Sequence, residues 1–301
     1  MKTESPFPKI ICIIVNWERP ADTMECIDSV LCSNVSEMQV LVVDNGSRDD
    51  SKEKISRMFP QITLVSLPQN LGFAGGYNEG IKHALKTGAS HIFILNNDTV
   101  IEPETISRLM NSPWDVAVPK IVFHNKPDYI WSAGARWRTF PPGVVMFGFQ
   151  KKDGPLYARA CPLEYATACA LMIQRHVLEI VGGFDLELVN YMEDYDFAYR
   201  VKENKFNMGF IPEAKVFHKV SQTLGEYSPQ RWKYQGKNTV LFYRKNGRFP
   251  WWKLWTFLLW VTCREIIKGR FAILPGFWQG VADALSFIHK KEKNYHGKCN
   301  L

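Results

Sequence analysis

The sequence has no two cysteines at metal-ligand spacing. Its seven cysteines (Cys12, Cys26, Cys32, Cys161, Cys169, Cys263 and Cys299) are scattered and odd in number. That argues against a zinc site or a disulfide framework, and most of them lie in apolar runs. They read as reduced, mainly buried thiols of a cytosolic protein. Internal repeats and low-complexity linkers are lacking too. Met1–Pro8 has no basic stretch followed by an apolar one, and Ile10–Val15 is too short for a signal sequence, so no export is expected. Within the Trp-, Leu- and Phe-rich stretch Pro250–Ile267, only the ten residues Leu254–Cys263 are free of charge. A membrane span needs about 20 apolar residues.

The chain has 301 residues, 46% of them hydrophobic, enough for one large α/β domain with an appendage. The net charge of +7 is unevenly spread. Residues 231–301 carry fourteen Lys and Arg against three Asp and Glu, a balance of +11, and residues 1–230 carry −4. Six of the ten tryptophans also fall in that basic tail. No nucleic-acid partner is expected.

The first half alternates strand-like and helix-like segments. Lys9–Asn16, Gln39–Asp44, Ile62–Leu67 and His91–Leu95 read as strands, rich in Ile, Val and Leu. A helix opens at Pro20, another covers Ser51–Phe59, and a third runs over Gly76–Thr87 and stops at Gly88. This order predicts βαβ units and a mostly parallel sheet flanked by helices. Ligands of such sheets lie beyond the carboxyl ends of the strands, which marks Asn16, Asp44 and Asn96–Asp98. Val116–Phe149 is irregular, with short β pieces. Glu164–Gln174 reads as a strand, Glu193–Asn204 as a helix, and Met208–Ile211 and Val216–His218 as further strands. Ser228–Asn246 reads as a basic helix.

Five constellations carry chemistry, each with a plainer alternative. Asp44-Asn45-Gly46-Ser47 is either an Asx turn and helix cap or a carboxylate accepting the imide N–H of uracil or thymine. Asn70–Asn78, with glycines at 72, 75 and 76, is either a tight turn or a helix start offering N–H groups to phosphate. Its glycines fit neither the dinucleotide fingerprint nor the P-loop. Asn96-Asn97-Asp98-Thr99 is either a solvated turn or a hard-oxygen site for Mg²⁺ or Mn²⁺, ions that need few protein ligands when a diphosphate completes the shell. Glu193-Asp194-Tyr195-Asp196 either complements a helix dipole or supplies a general base. His218 is a structural histidine or a second metal ligand.

In this order the pieces resemble the family 2 glycosyltransferases of GT-A fold, most closely their bacterial rhamnosyltransferase-like branch. The resemblance is carried by IIVNWERP (13–20), LVVDNGSRD (41–49), NLGFAGGYNEGI (70–81), ILNNDTVIEP (94–103), VGGFD (181–185), YMEDYDFAYR (191–200) and IPEAKVFH (211–218). It implies that Asp44 reads a pyrimidine and that Asn16, Asn45, Asn70, Gly72, Asn78, Asn96 and Asn97 line the nucleotide-sugar site. It further implies that Asp98 holds the metal with Asn96 and His218, and that Asp194 is the catalytic base beside Glu193. Asn96 stands where the family often has Asp, and Thr167-Ala168 where it usually has Thr-Gly. A single displacement at the anomeric carbon would invert the configuration, with no covalent enzyme intermediate.

The implied donor is a dTDP- or UDP-linked sugar, with L-rhamnose first and galactofuranose, glucose or N-acetylhexosamine behind it. The implied acceptor is a saccharide or a lipid-linked one. Residues 1–227 are expected to form the catalytic domain, with a nucleotide half over 9–115 and an acceptor half over 116–227. Residues 228–301 are expected to form a helical, membrane-proximal extension. That extension would dock on the anionic inner face of the cell membrane or pack against a second subunit as a homodimer. A sugar nucleotidyltransferase would need a glycine-rich loop directly after the first strand, where Asn16-Trp17-Glu18-Arg19-Pro20 stands; a dinucleotide oxidoreductase would have its glycines there as well. A non-catalytic module of the same fold would not need Asp44, Asp98 and Asp194 together.

Overall fold

The computed structural model describes residues 10–138, 143–188, 190–220, 228–246 and 250–298. Met1–Lys9 and Cys299, which figure in the sequence reading, lie outside them. Contacts divide the chain into two compact units. The first comprises residues 1–137, 144–189 and 193–221; the second comprises 138–143, 190–192 and 222–301.

The first unit begins with β1 (Ile10–Asn16), α1 (Pro20–Leu31), β2 (Met38–Asp44), α2 (Ser51–Met58), β3 (Thr63–Ser66), α3 (Gly72–Lys86) and β4 (His91–Asn96). It continues with β5 (Thr99–Ile101), α4 (Thr105–Met110), β6 (Val116–Phe123), β7 (Lys126–Ser132), β8 (Ala135–Arg138), β9 (Gly143–Met146), β10 (Cys161–Leu163), β11 (Ala170–Gln174), α5 (Arg175–Val181), α6 (Glu193–Glu203) and β12 (Met208–His218). The main sheet has the order β10-β12-β6-β11-β4-β1-β2-β3, with β5 added on β12 and β7 on β6; β8 and β9 form a separate pair. Its N-terminal part is parallel, as the βαβ pattern predicts, whereas β11 enters antiparallel between β4 and β6.

The apolar run of β1 is explained by cover on both faces. Ile11 and Ile13, with Leu41 and Val43 of β2, join Tyr77 and Ile81 of α3 in one core. Ile10, Cys12 and Ile14 face the other way, onto Cys26 and Ile27 of α1 and Ile55 of α2. Helix α3 lies flat on the sheet because of its glycines. A Cβ on Gly80 would stand 2.5 Å from Ile13 Cγ2, and one on Gly76 would stand 2.9 Å from Val15 Cγ1. The helix starts at Gly72, earlier than the expected Gly76, and Gly72 takes a φ of +72°.

Two strand expectations change. Glu164–Gln174 is not one strand: β10 ends at Leu163 and β11 begins at Ala170. The two late strands merge into β12, whose register slips between Ile211 and Lys215, around Pro212, a residue a regular ladder cannot hold.

The second unit is helical: α7 (Pro229–Lys245), α8 (Trp251–Ile267) and α9 (Leu274–Lys298). Helices α7 and α9 meet backbone to backbone. A Cβ on Gly236 would fall 2.1 Å from Phe277 O, and one on Gly280 would fall 2.0 Å from Lys233 O. Lys233 and Asp283 pair across the same contact at 3.0 Å. Buried Glu265 of α8 is paired with Arg264 and Arg270. Trp251, Trp252, Trp255, Leu259 and Ile266 form an exposed apolar face on α8. Helix α9 lies within the helical extension expected over 228–301; the segment Phe271–Lys290, which begins just before α9 and runs into it, is long and apolar enough to cross a membrane by length and composition alone, and about one third of it is buried within the protein.

Candidate active site

The parallel register lines up the ends of three neighbouring strands. Asn16 stands opposite Asp44, and Asn96 stands opposite Val15. Asn16 donates to Asp44 Oδ1 (2.9 Å) and Ser47 Oγ (3.1 Å), and its own Oδ1 accepts from Thr23 Oγ1 (2.7 Å). Ser47 Oγ donates to Asp44 Oδ1 at 2.6 Å. Asn97 Nδ2 donates to Thr23 Oγ1 at 3.0 Å, so one chain of hydrogen bonds runs from the end of β2 to the turn after β4. Asp44 is buried in this network, which orients its carboxylate at the sheet edge.

The Asn70–Asn78 segment is framework. Asn45 Oδ1 accepts from Leu71 N (2.9 Å), and Asn45 Nδ2 donates to Gly72 O and Asn70 Oδ1. Gly72 N donates to Asn70 Oδ1 at 2.7 Å. Asn78 binds the Phe184 backbone at both ends of its amide, with distances of 2.7 and 2.8 Å. Asn45, Asn70, Gly72 and Asn78 thus shape the loop and tie α3 to the Gly182-Gly183 turn. These contacts give the four residues a framework role, and their part in binding a nucleotide sugar stays a proposal.

Beyond β4, the pairing of β12 with β5 sets His218 opposite Thr99. His218 Nε2 then lies 3.2 Å from Asp98 Oδ1, with both side chains buried. Burial opposes charging the ring, yet Cys169 and the Asp98 carboxylate beside it push its pKa up to about 10. The Trp131 ring packs edge-on against it at 4.5 Å. Asn96 is oriented by Tyr77, whose hydroxyl donates to Leu95 O and reaches Asn96 Oδ1. No group of three His, Cys, Asp or Glu stands together among the described residues. The protein thus offers an Asp, a His and a neighbouring amide, a donor set that fits a divalent ion only if other oxygens complete it.

The third part lies at the start of α6. Asp194 Oδ2 accepts from Tyr165 OH at 2.8 Å, and its Oδ1 accepts from Tyr195 N at 2.9 Å. Burial pushes the Asp194 carboxyl up, although these hydrogen bonds pull the other way. Glu193 is raised further by burial and by Asp194 beside it, and its Oε2 is buried with no partner. A carboxyl so placed is a stronger base than an exposed one. Asp196 is scaffold: Arg200 holds it at 2.7 Å and also donates to Val181 O and Gly183 O.

A family model described as "Glycosyl transferase family 2" matches residues 11–163, and another, "Glycosyl transferase family group 2", matches residues 91–286. The chain belongs to glycosyltransferase family 2. This glycosyltransferase is 24% identical over 243 residues to the N-acetylglucosaminyl-diphospho-decaprenol L-rhamnosyltransferase of Mycobacterium tuberculosis, a match covering 72% of this chain and 77% of that one. It is 25% identical to the dTDP-rhamnosyl transferase RfbF of Shigella flexneri, over 69% of this chain and 71% of that one. Among solved structures, it resembles the mannosyltransferase PcManGT of Pyrobaculum calidifontis in complex with GDP-Man and Mn²⁺, with a TM-score of 0.56 at 15% identity over 94% of this chain and 76% of that one. It also resembles GalNAc-T7 with UDP, GalNAc and Mn²⁺, with a TM-score of 0.56 at 14% identity, covering 71% of this chain but only 44% of the other. The sheet is that of the GT-A fold, and the relatives place the glycosyltransferase in the rhamnosyltransferase-like branch.

Sequence reasoning missed Thr23, Ser47, Tyr77 and Tyr165 of this glycosyltransferase. Ser47 sits inside a motif that was singled out. Tyr165 lies 29 positions before Asp194, and only the tertiary fold brings the two together.

Proposed function

We propose that this glycosyltransferase is an inverting, metal-dependent enzyme that moves a hexose from a nucleoside diphosphate to a saccharide or lipid-linked acceptor, with L-rhamnose from dTDP-rhamnose as the first assignment. The observation that carries this reading is the alignment of Asn16, Asp44 and Asn96 at the carboxyl edge of three adjacent strands, followed by the Asp98–His218 pair. Asp44 would accept the imide N–H of the pyrimidine. Asp98, His218 and Asn96 would hold Mg²⁺ or Mn²⁺. When bound, such an ion supplies positive charge against the departing diphosphate. Asp194, oriented by Tyr165, would take the proton from the acceptor hydroxyl as that oxygen attacks the anomeric carbon. Burial would keep Asp194 basic, and the Asp194 charge would hold the neighbouring Glu193 protonated. The rhamnosyl names of the two relatives favour the sugar; the Mn²⁺ in the two structural neighbours favours the metal.

The test is transfer from a panel of dTDP-rhamnose, UDP-galactofuranose, UDP-glucose and UDP-N-acetylglucosamine, with Mg²⁺, Mn²⁺ or EDTA, and the product anomer read by NMR. Retention of configuration, or full activity in EDTA, overturns the corresponding part.

The second unit would place the enzyme on the cytoplasmic face of a membrane. Its +11 balance and the exposed Trp251, Trp252 and Trp255 support this, since tryptophan favours the headgroup level and basic residues favour anionic lipid. Trp260 lies in the same ten-residue window, with Arg264 4.8 Å from the centre of its ring. Flotation with anionic liposomes at low and high salt tests the placement. Protein that stays soluble at low salt and forms dimers instead assigns the α8 face to a second copy.

A further inference from the structure

Tyr191 and Met192 stand at φ +66° and +67°. Two adjacent non-glycine residues keep this left-handed conformation only when neighbours enforce it. The neighbours are on α7. Asn238, 1% exposed, uses both amide hydrogens on this turn, donating to Asn190 O at 2.7 Å and to Tyr191 O at 2.8 Å. Thr239 Oγ1 reaches Met192 Sδ at 3.3 Å, and the Arg231 guanidinium lies 5.1 Å from the centre of the Tyr191 ring. Residues 190–192 accordingly cluster with the helical unit and not with the sheet. The next two residues of the chain are Glu193 and Asp194, which open α6.

We infer that Asn238 is a positioning residue for the transfer reaction: it fixes the left-handed turn Asn190–Met192, and the turn fixes the direction in which the chain delivers Glu193 and Asp194. The inference rests on the reading of Asp194 as the base. Asparagine suits the task because it brings two donors to two successive carbonyls. An aspartate would oppose those carbonyls, and a leucine of similar size would leave them unbonded. Asparagine is a weak helix former, so its place inside α7 is better explained by what it binds than by the helix it sits in.

The test uses the full chain. Asn238→Leu should lower kcat by about 10–100-fold, as displacement of a catalytic group does. The KM for the nucleotide sugar and the affinity for the free nucleotide should stay within about twofold, because the groups at the ends of β1, β2 and β4 are untouched. Met192→Gly in the Asn238→Leu background should recover kcat by about fivefold or more, since glycine takes positive φ without enforcement. A purely structural role for Asn238 predicts lower thermal stability and no such recovery. A kcat within about twofold of wild type, a loss confined to donor KM, or no glycine rescue overturns the inference. Should Asn238→Leu fail to fold, Arg231→Ala reads the same turn from the other side. A drop in kcat at constant donor KM supports the inference, and unchanged kcat overturns it. Asp194→Asn measured alongside separates the two levels: an active Asp194→Asn overturns the base itself, whereas an inactive one beside an unimpaired Asn238→Leu overturns only the positioning.

Discussion

At the carboxyl edge of the sheet, Asn16 has both amide hydrogens and its oxygen engaged, and Asn45 is engaged just as fully. At the start of α6 the situation differs. Glu193 Oε2 is buried without a partner, and burial raises both Glu193 and Asp194. Saturated amides hold a shape and carry no charge that could change during a reaction. Carboxylates deprived of water hold a basicity. On the proposed function the first region would receive a molecule and the second would move a proton, and the two should respond differently to substitution.

The largest separation is expected from Asp194→Asn. Transfer should fall by about 10²–10⁴, while nucleotide affinity, measured by calorimetry, changes little. Near-normal turnover would erase the contrast. Next comes Asp98→Ala, expected to lose on the order of 10²–10³ in kcat together with its response to added Mn²⁺. A variant still stimulated by the ion would move the ion elsewhere. Asp44→Ala should weaken UDP and dTDP binding by about 1.5–3 kcal/mol with little effect on kcat at saturating donor. Unaltered affinity would return Asp44 to a turn cap. Gly80→Ala tests the support beneath: its Cβ would meet Ile13 and should cost about 1–3 kcal/mol in denaturant unfolding.

The smallest effect concerns pH. The folded pKa values of Glu193 and Asp194 lie above their unfolded values. The folded protein thus keeps protons that the unfolded chain has released, and this contribution to stability falls as pH rises from the ordinary carboxylate range through the raised values. Glu193→Gln should accordingly raise Tm more at about pH 8 than at about pH 4. In the same direction, kcat/KM should rise with pH through a value above that of an ordinary aspartate. An acid limb at the usual aspartate position would show Asp194 to be better solvated than its surroundings imply.

The parallel half of the fold was legible because each strand is an unbroken apolar run and each helix carries its own start or stop, as at Pro20 and Gly88. The proposed site was legible at or just beyond strand ends: Asn16 and Asp44 close β1 and β2, and Asp98 lies in the turn between β4 and β5. What escaped depends on partners far apart in the chain. The hydroxyls of Tyr77 and Tyr165 look like ordinary core aromatics until the fold supplies Leu95 and Asp194. The glycines of α3 resemble a phosphate loop, since sequence alone does not distinguish a glycine needed for approach to a ligand from one needed for approach to Ile13. Within the helical extension the bounds of α9 were not legible, because Pro275, Gly276 and Gly280 break the usual helical signal; the two glycines serve its contact with α7.

The pairing of β12 with β5 also imposes an order of assembly. Asp44 and Asn16 meet through strands that follow one another closely, so the proposed nucleotide edge draws on only the first hundred or so residues. The proposed cation pair does not, because His218 reaches Asp98 only after β12 has been made and has joined the sheet. Non-local pairings of this kind form late and slowly. On the proposed function, a chain still lacking β12 would have the nucleotide edge without the cation pair, and so could not yet cleave the sugar–phosphate bond of a donor.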